Sequence, residues 1–375
     1  MEKIPKALLE VENYMKVNLI ETFGIPKENE QMGLALEEYL SRGGKYLRPG
    51  LVWSTVKAYA VRRPEDSIWA AISSSFDHNW FLIHDDIEDN SRLRRGKPCL
   101  HILYGIDNAI NYGDYLRTLA EMALEKGKEK WGLKTYTRLI SARQEMLKTT
   151  CEGQDLEFIL RKKPLSETTE EKVFRILEKK SAFYTIFTPY RYGAIISGIS
   201  DEKIEELRPA LMKIGVAFQV QDDVLDLTVE KEQERGEATL KAQKFGKDWA
   251  GDLEEMKRTL LIAKVLEKAD SKDRRYLIKM LDIDGRMKKL VSVRDSLRDK
   301  SMENSSEYRK VQERIDEIKV KVIDIMNKYH VIEEAKEKAK ELYEEGIVKV
   351  EEALPESEGK KDVLDLLKFA VFRHF

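Results

Sequence analysis

The sequence predicts an all-α fold, on three observations. Nearly every segment repeats its apolar residues at the three- and four-residue spacing of a helix with one buried face. Alternating apolar and polar runs bounded by turn residues, the mark of strands, are scarce. In the last third, 22 of the 50 residues from 301 to 350 are charged, yet Tyr308, Val311, Ile315, Ile318, Val322, Ile325 and Tyr329 recur at helical spacing. No repeat of fixed period runs through the chain.

The chain has 375 residues, and we read residues 1–375 as one helical domain with a hairpin inserted at 283–329. A net charge of −2 gives no argument for nucleic acid or an anionic membrane surface as partner, and none is expected. No window approaches the roughly 18 uncharged apolar residues that span a bilayer. The first residues, MEKIPKALLEVENYM, lack the apolar core of a signal peptide, and Cys99 and Cys151 have no metal-site spacing. These features predict a cytoplasmic location with free thiols.

Taken in order, amphipathic helices are expected over 3–22 and 29–40. Then SRGGKYLRPGL breaks the chain at Gly43 and Gly44, and Pro49 opens the next helix. Lys45 and Arg48 lie at that entry, where helix-start N–H groups favour anions; alone, the stretch reads as an ordinary basic turn. Helices follow over 65–88, 106–126 and 134–160, Pro164 interrupts, and 170–178 leads into the apolar run KKSAFYTIFTPYRYGAIISG, with a kink expected at Pro189. Lys180 heads that run, next to Ser181; it either faces a cavity or reaches back to solvent.

The first helix with unusual chemistry ends HNWFLIHDDIEDNSRLRRGKPCLH. Asp85 and Asp89 share a helical face, Asp86 is beside them, and His78 lies two turns up. Close carboxylates repel by roughly a few kcal/mol per pair at intermediate dielectric. They need water or a metal, and hard oxygen donors suit Mg²⁺. Arg94 and Arg95 then fit as forks for phosphate oxygens. A solvated helix end followed by a basic loop is the plainer alternative. A second such helix, over 205–227, ends GVAFQVQDDVLDL and puts Gln219, Asp222, Asp223 and Asp226 on one face. Two acid triplets at the polar ends of two apolar helices suggest that they face each other across a cavity, as a polynuclear Mg²⁺ site for a diphosphate. The charged stretch 230–246 reads as a mobile loop and a candidate lid over such a cavity. Lys247 and Lys257 then flank a new helix start. Ile283, Met287, Leu290, Val293 and Leu297 form a stripe matching the one that begins at Tyr308. Together they predict a long antiparallel hairpin turning at 299–306, without chemistry of its own, and a final helix over 362–374 closes the chain.

The residues GGKYLRP, HNWFLIHDDIED, RRGKPCLH, NYGD, EGQDLE, KKSAFYT, FQVQDDVLD and GKDWAGDLEEMKRTL, in this order from about Gly43 to Leu260, resemble the trans-isoprenyl diphosphate synthases, or polyprenyl synthetases. The resemblance implies a bundle of long antiparallel helices around a deep apolar cavity, usually as a homodimer. By resemblance, Asp85, Asp89 and Asp222 are direct Mg²⁺ ligands, with Asp86, Asp223 and Asp226 completing the motifs. Lys45, Arg48, His78 and Arg95 match the site for isopentenyl diphosphate; Arg94, Lys180, Gln219, Lys247 and Lys257 match residues that hold an allylic diphosphate. Ser181 stands where the family usually has Thr, Glu157 where it often has Asp, and Ala250 replaces a usual Gly. Asp77 and Asn79, in an otherwise apolar helix, have no place in the pattern.

The reaction implied is Mg²⁺-dependent head-to-tail prenyl transfer, with electrostatic stabilisation of departing pyrophosphate as its main catalytic term. Trp80 and Phe81, one turn above Asp85, would floor the channel, and two bulky aromatics there predict a C15 product, with C20 second. A class I terpene cyclase would carry an Asn/Ser/Glu set in place of DDVLD. A catalytically silent subunit of a heteromeric synthase tends to lose one acid triplet or the arginine pair, and both are intact here.

Overall fold

The computed structural model describes residues 5–12, 15, 30–228 and 249–372. Among them, helix follows helix: α1 (Glu30–Ser41), α2 (Leu47–Tyr59), α3 (Ile68–Glu88), α4 (Leu100–Tyr104), α5 (Ile106–Trp131), α6 (Leu133–Arg161), α7 (Glu170–Ile176), α8 (Leu177–Phe187), α9 (Thr188–Ile196), α10 (Asp201–Thr228), α11 (Gly251–Glu254), α12 (Leu260–Lys268), α13 (Ser271–Leu281), α14 (Arg286–Asp299), α15 (Ser306–Lys328), α16 (Val331–Ala353) and α17 (Glu358–Phe372). Side-chain caps start several of them. Thr169 accepts from the Lys172 N–H, Thr259 from Ile262, Asp270 from Lys272 and Asp273, and Ser305 from Tyr308. Each such cap contributes about 1 kcal/mol.

The described strands are β1 (Leu93–Arg94) and β2 (Lys97–Pro98), an antiparallel pair within RLRRGKP. Their turn residues, Arg95 and Gly96, have φ of 56° and 74°. Positive φ at both positions matches the twist of a two-residue hairpin. A non-glycine residue there is strained; the Arg95 side chain lines a cavity within the bundle, its guanidinium 5.8 Å from the Tyr39 ring centre.

In the bundle, α3 packs on α5, α10 on both α8 and α16, α17 on α2, and α6 on α8. One buried apolar cluster extends from Ala7 to Val371. The helices leave a cavity of about 640 Å³, lined by α3, α6, α8, α10 and the segments at their polar ends.

Three expectations change. The apolar run does not continue as an α-helix. Instead α8 is a wide-turn π-helix, ending where the Thr188 N–H donates to the Phe183 carbonyl five residues back, and Pro189 sits in the first turn of α9. The helical run continues without a break from α8 into α9, so Pro189 lies inside one continuous run. The hairpin is present as α14 and α15, but α14 starts at Arg286, after Gly285, not at Ile283. Val293 is 45 % exposed, whereas its neighbour Arg294 is buried on the packed face. The expected helix over 3–22 is described only at 6–12 and 15; the loop 230–246 and Lys247 lie outside the described residues.

Candidate active site

The two acid triplets end α3 and α10, but of the first triplet only Asp85 lines the cavity. Asp85, Asp222, Asp223 and Asp226 line it, with Glu88 and Asp252. Asp226 also organises the chain beyond α10. Its carbonyl accepts from the Ala250 N–H at 3.0 Å and its carboxylate from the Asp252 N–H at 3.2 Å. Asp252 is thereby placed beside the second triplet.

Cations sit between these acids. Lys257 Nζ lies 3.3 Å from Asp89, 3.1 Å from Asp252 and 2.6 Å from Glu255, bridging the end of α3 to the segment after α10. Burial opposes its charge, but Asp252, Asp89 and Glu255 hold its pKa well above the ordinary lysine value. Lys180 Nζ donates to Asp85 at 3.2 Å and Glu157 at 3.0 Å. Burial again opposes the charge, and Asp85 and Glu157 outweigh it to raise the pKa. Arg161 donates to Asp89 at 2.6 Å and also to Glu157. Asp89, its side chain 1 % exposed, is disfavoured by burial, yet Lys257 and Arg161 hold its pKa below the usual carboxylate value. Asp223 goes the other way. Burial and repulsion from Asp252 raise its pKa well above normal, although Gln219 donates to it at 3.0 Å.

Asp86 does not share the cavity face. Its carboxylate accepts from both Nε and Nη2 of Arg94, and both side chains are buried. The two are eight residues apart, joined by the turn into β1. Asp86 is thus placed to hold Arg94, which itself lines the cavity.

A basic set shares this cavity. Lys45, Arg48, His78 and Arg95 all line the cavity. Arg48 donates to Thr185 of α8 at 2.8 Å and stacks over Tyr184, 4.4 Å from the ring centre. Burial, then the charges of Arg48, Arg95 and Arg94, hold His78 well below its ordinary pKa, so its imidazole is neutral. Ser181 also lines the cavity. Trp80 and Phe81 stack, with centroids 4.6 Å apart, and Phe81 meets Tyr184 edge-on at 5.2 Å.

Sequence reasoning passed over Asp252, Arg161, Tyr184 and Thr185. Asp252, Tyr184 and Thr185 lie within stretches already singled out. Arg161 follows Glu157 by four residues, a spacing that pairs charges on a helix. Gly153 permits the pairing of α6 with α8, since a Cβ there would stand 2.3 Å from the Lys180 backbone nitrogen. Asp77, unplaced by sequence, forms a buried two-bond pair with Arg143, at 2.9 and 2.7 Å.

The donors fit Mg²⁺ in chemistry, being carboxylate oxygens throughout. Among the described residues no three of them already enclose a metal position. The acids lean instead on Lys180, Lys257 and Arg161, and the two lysines have flexible stems that let them change partner.

The family model for polyprenyl synthetase matches residues 29–294. The short chain isoprenyl diphosphate synthase of Methanothermobacter thermautotrophicus is 33 % identical over 248 residues, 66 % of this chain and 70 % of that protein. The geranylgeranyl diphosphate synthase of Methanosarcina mazei is 35 % identical over 246 residues, 64 % of this chain and 68 % of that one. A crystal structure of geranylgeranyl pyrophosphate synthetase from Pyrococcus horikoshii superposes with a TM-score of 0.76 at 26 % identity, covering 98 % of this chain and 99 % of that one. With these likenesses and the paired acid helices, the chain belongs to the polyprenyl synthetase family, the trans-isoprenyl diphosphate synthases, and is a prenyltransferase.

Proposed function

We propose that the protein condenses isopentenyl diphosphate head to tail with an allylic diphosphate, with Mg²⁺ as cofactor, to give a short all-trans prenyl diphosphate. The observation that carries this reading is one cavity lined by two cationic sets, Lys180 and Lys257, which pair with acids, and Lys45, Arg48 and Arg95. Two diphosphates are thereby distinguished.

Asp85, Asp89, Asp222 and Asp226 would hold Mg²⁺, with Asp223 and Asp252 beside them. Bound there, Mg²⁺ supplies positive charge to the departing pyrophosphate. As the allylic diphosphate enters, Lys180 and Lys257 exchange carboxylate partners for phosphate oxygens, which releases the acids for metal. Arg94, fixed by Asp86, and Gln219 contribute to the same headgroup, and Lys247 is assigned to it by family likeness. Lys45, Arg48, neutral His78 and Arg95 hold isopentenyl diphosphate, and Ser181 supplies a hydroxyl nearby. The allylic C–O bond breaks, the isopentenyl double bond attacks the resulting cation, and the released pyrophosphate takes the proton. Stabilising the leaving anion is the dominant catalytic contribution. The apolar wall of the cavity keeps the cation from water.

The Trp80–Phe81 stack, backed by Tyr184, narrows the channel below the acids and supports a C15 product. The names of the Methanosarcina and Pyrococcus relatives favour C20 as the second reading. Ile102, Leu103, Ile106 and Ile110 are exposed apolar residues clustered on α4 and the start of α5, and they support burial against a second copy in a homodimer. Among the described residues no helix is long and apolar enough to cross a membrane.

The test is to incubate purified protein with Mg²⁺, isopentenyl diphosphate and dimethylallyl, geranyl or farnesyl diphosphate in turn, and to size the products. A C15 limit supports the narrow channel and a C20 limit the second reading. No product from any of the three overturns the reaction.

A further inference from the structure

We propose that the α14–α15 hairpin is a buttress for the diphosphate site, with Lys319 and Arg294 as positioning residues. The inference rests on the reading above. The segment in question carries Asp252 and Lys257 into the cavity. It contains only the four-residue helix α11, far too short to be stable alone. It is also bounded by two non-glycine residues in the left-handed region, Ala250 at φ 47° and Met256 at φ 57°. Such strain persists only where the surroundings fix it.

One restraint comes from Asp226, through the two hydrogen bonds already described. Lys257 adds its pair with Asp89 and Ser91 donates to Glu255 at 3.0 Å, and a further restraint comes from the hairpin. Lys319 on α15 is 2 % exposed; its Nζ donates to the Trp249 carbonyl at 2.6 Å, pairs with one oxygen of Glu254 and lies 5.2 Å from the Trp249 ring centre. Arg294 on α14 is also buried and donates to the other oxygen of Glu254 at 2.5 Å and to Gln312 of α15 at 3.4 Å. Glu254 therefore accepts from both helices of the hairpin, and burial is outweighed by Lys319 and Arg294 to lower its pKa. A second link joins the hairpin to the first acid motif, where Asn90 donates to Asp295 at 3.1 Å.

Two cations buried in the hairpin's inner face are unnecessary for a surface extension. They make sense where their one shared acid sits two residues from Asp252 and three from Lys257. The family model ends at residue 294, so Lys319 lies beyond the matched residues.

The experiment compares the full-length protein with Lys319→Met, which keeps the stem and removes the charge, and with Lys319→Arg, which keeps the charge. Binding of inorganic pyrophosphate in Mg²⁺ is measured by calorimetry, with KM for each substrate and Tm. Lys319→Met should weaken Mg²⁺-pyrophosphate binding and raise the allylic KM about tenfold, the usual scale for losing a group that orients a metal ligand. The isopentenyl KM should move less than about twofold, and Lys319→Arg should restore most of the loss. Unchanged pyrophosphate binding overturns the proposal. So does a loss shared equally by both substrates that follows a fall in Tm. If the wild type binds Mg²⁺-pyrophosphate but makes no prenyl product, the reaction assigned above fails while the binding comparison still decides the buttress.

Discussion

Arg143→Met isolates the buried pair beneath His78. Asp77 and Arg143 are 1 % and 3 % exposed and share two hydrogen bonds, at 2.9 and 2.7 Å. Arg143 also donates to the Arg117 carbonyl at 3.0 Å. Removing one member of a buried pair typically costs about 3–5 kcal/mol, because the other charge is left without a partner. An unfolding entropy of about 2.1 cal/mol/K per residue over 375 residues gives about 0.8 kcal/mol/K. The expected fall in Tm is then about 4–6 °C. The pH dependence has a definite sign. Burial already outweighs Arg143 and raises the Asp77 pKa, and losing Arg143 raises it further. An acid whose folded pKa exceeds its unfolded value contributes most below the unfolded pKa and loses that contribution as pH rises through the folded one. The deficit should therefore be larger at about pH 8 than at about pH 5. Asp77→Asn combined with Arg143→Met should recover a good part of it. The assay is thermal unfolding of the single variant, the double variant and wild type at both pH values. A single-variant loss below about 1 kcal/mol, or a double variant no more stable than the single, refutes the reasoning.

The remaining predictions concern the cavity. Trp80→Ala with Phe81→Ala should lengthen the product on chromatography; an unchanged product distribution would remove these residues as the floor. Lys180→Ala should lower kcat/KM for the allylic substrate by about 10²–10³, the usual loss for one group stabilising developing charge; a drop below tenfold in steady-state kinetics would limit Lys180 to neutralising Asp85. Chelating Mg²⁺ should abolish turnover and adding it back should restore it, and Asp222→Ala should raise the Mg²⁺ concentration for half-maximal rate. Ile106→Glu should turn a dimer into a monomer in sedimentation, since it buries a charge in an apolar contact.

Helical period alone located α3, α5, α6 and α10 to within a few residues, because each has a buried face long enough for the pattern to repeat. The acids that line the cavity were legible as spacing on α3 and α10, whereas the basic residues sit mostly at turns and helix entries and were picked out by the likeness of their motifs to the family. Less accessible were contacts made by residues that sequence separates. Arg94 turns back onto Asp86 through a tight hairpin whose strands have two residues each, too short to alternate. Arg161 reads as an ordinary charge at the end of α6 until the fold brings Asp89 to it. In α14 the apolar count favoured Val293, but the packed face belongs to Arg294, because Glu254 is available across the interface as its counter-charge. An apolar stripe cannot register a buried arginine whose partner lies 40 positions away.

The wide turn of α8 has a consequence for how its contacts to Asp85 and to Arg48 are spaced. In an α-helix, residues five apart are rotated by about 140°, so Lys180 and Thr185 would point to different sides. Bonding five residues back brings such residues close to alignment. One short helix can therefore present Lys180 to Asp85 and Thr185 to Arg48. The separation between these two contacts is then set by the winding of the backbone. Substitutions can change what each contact holds, but moving the contacts relative to each other requires inserting or deleting a residue in α8.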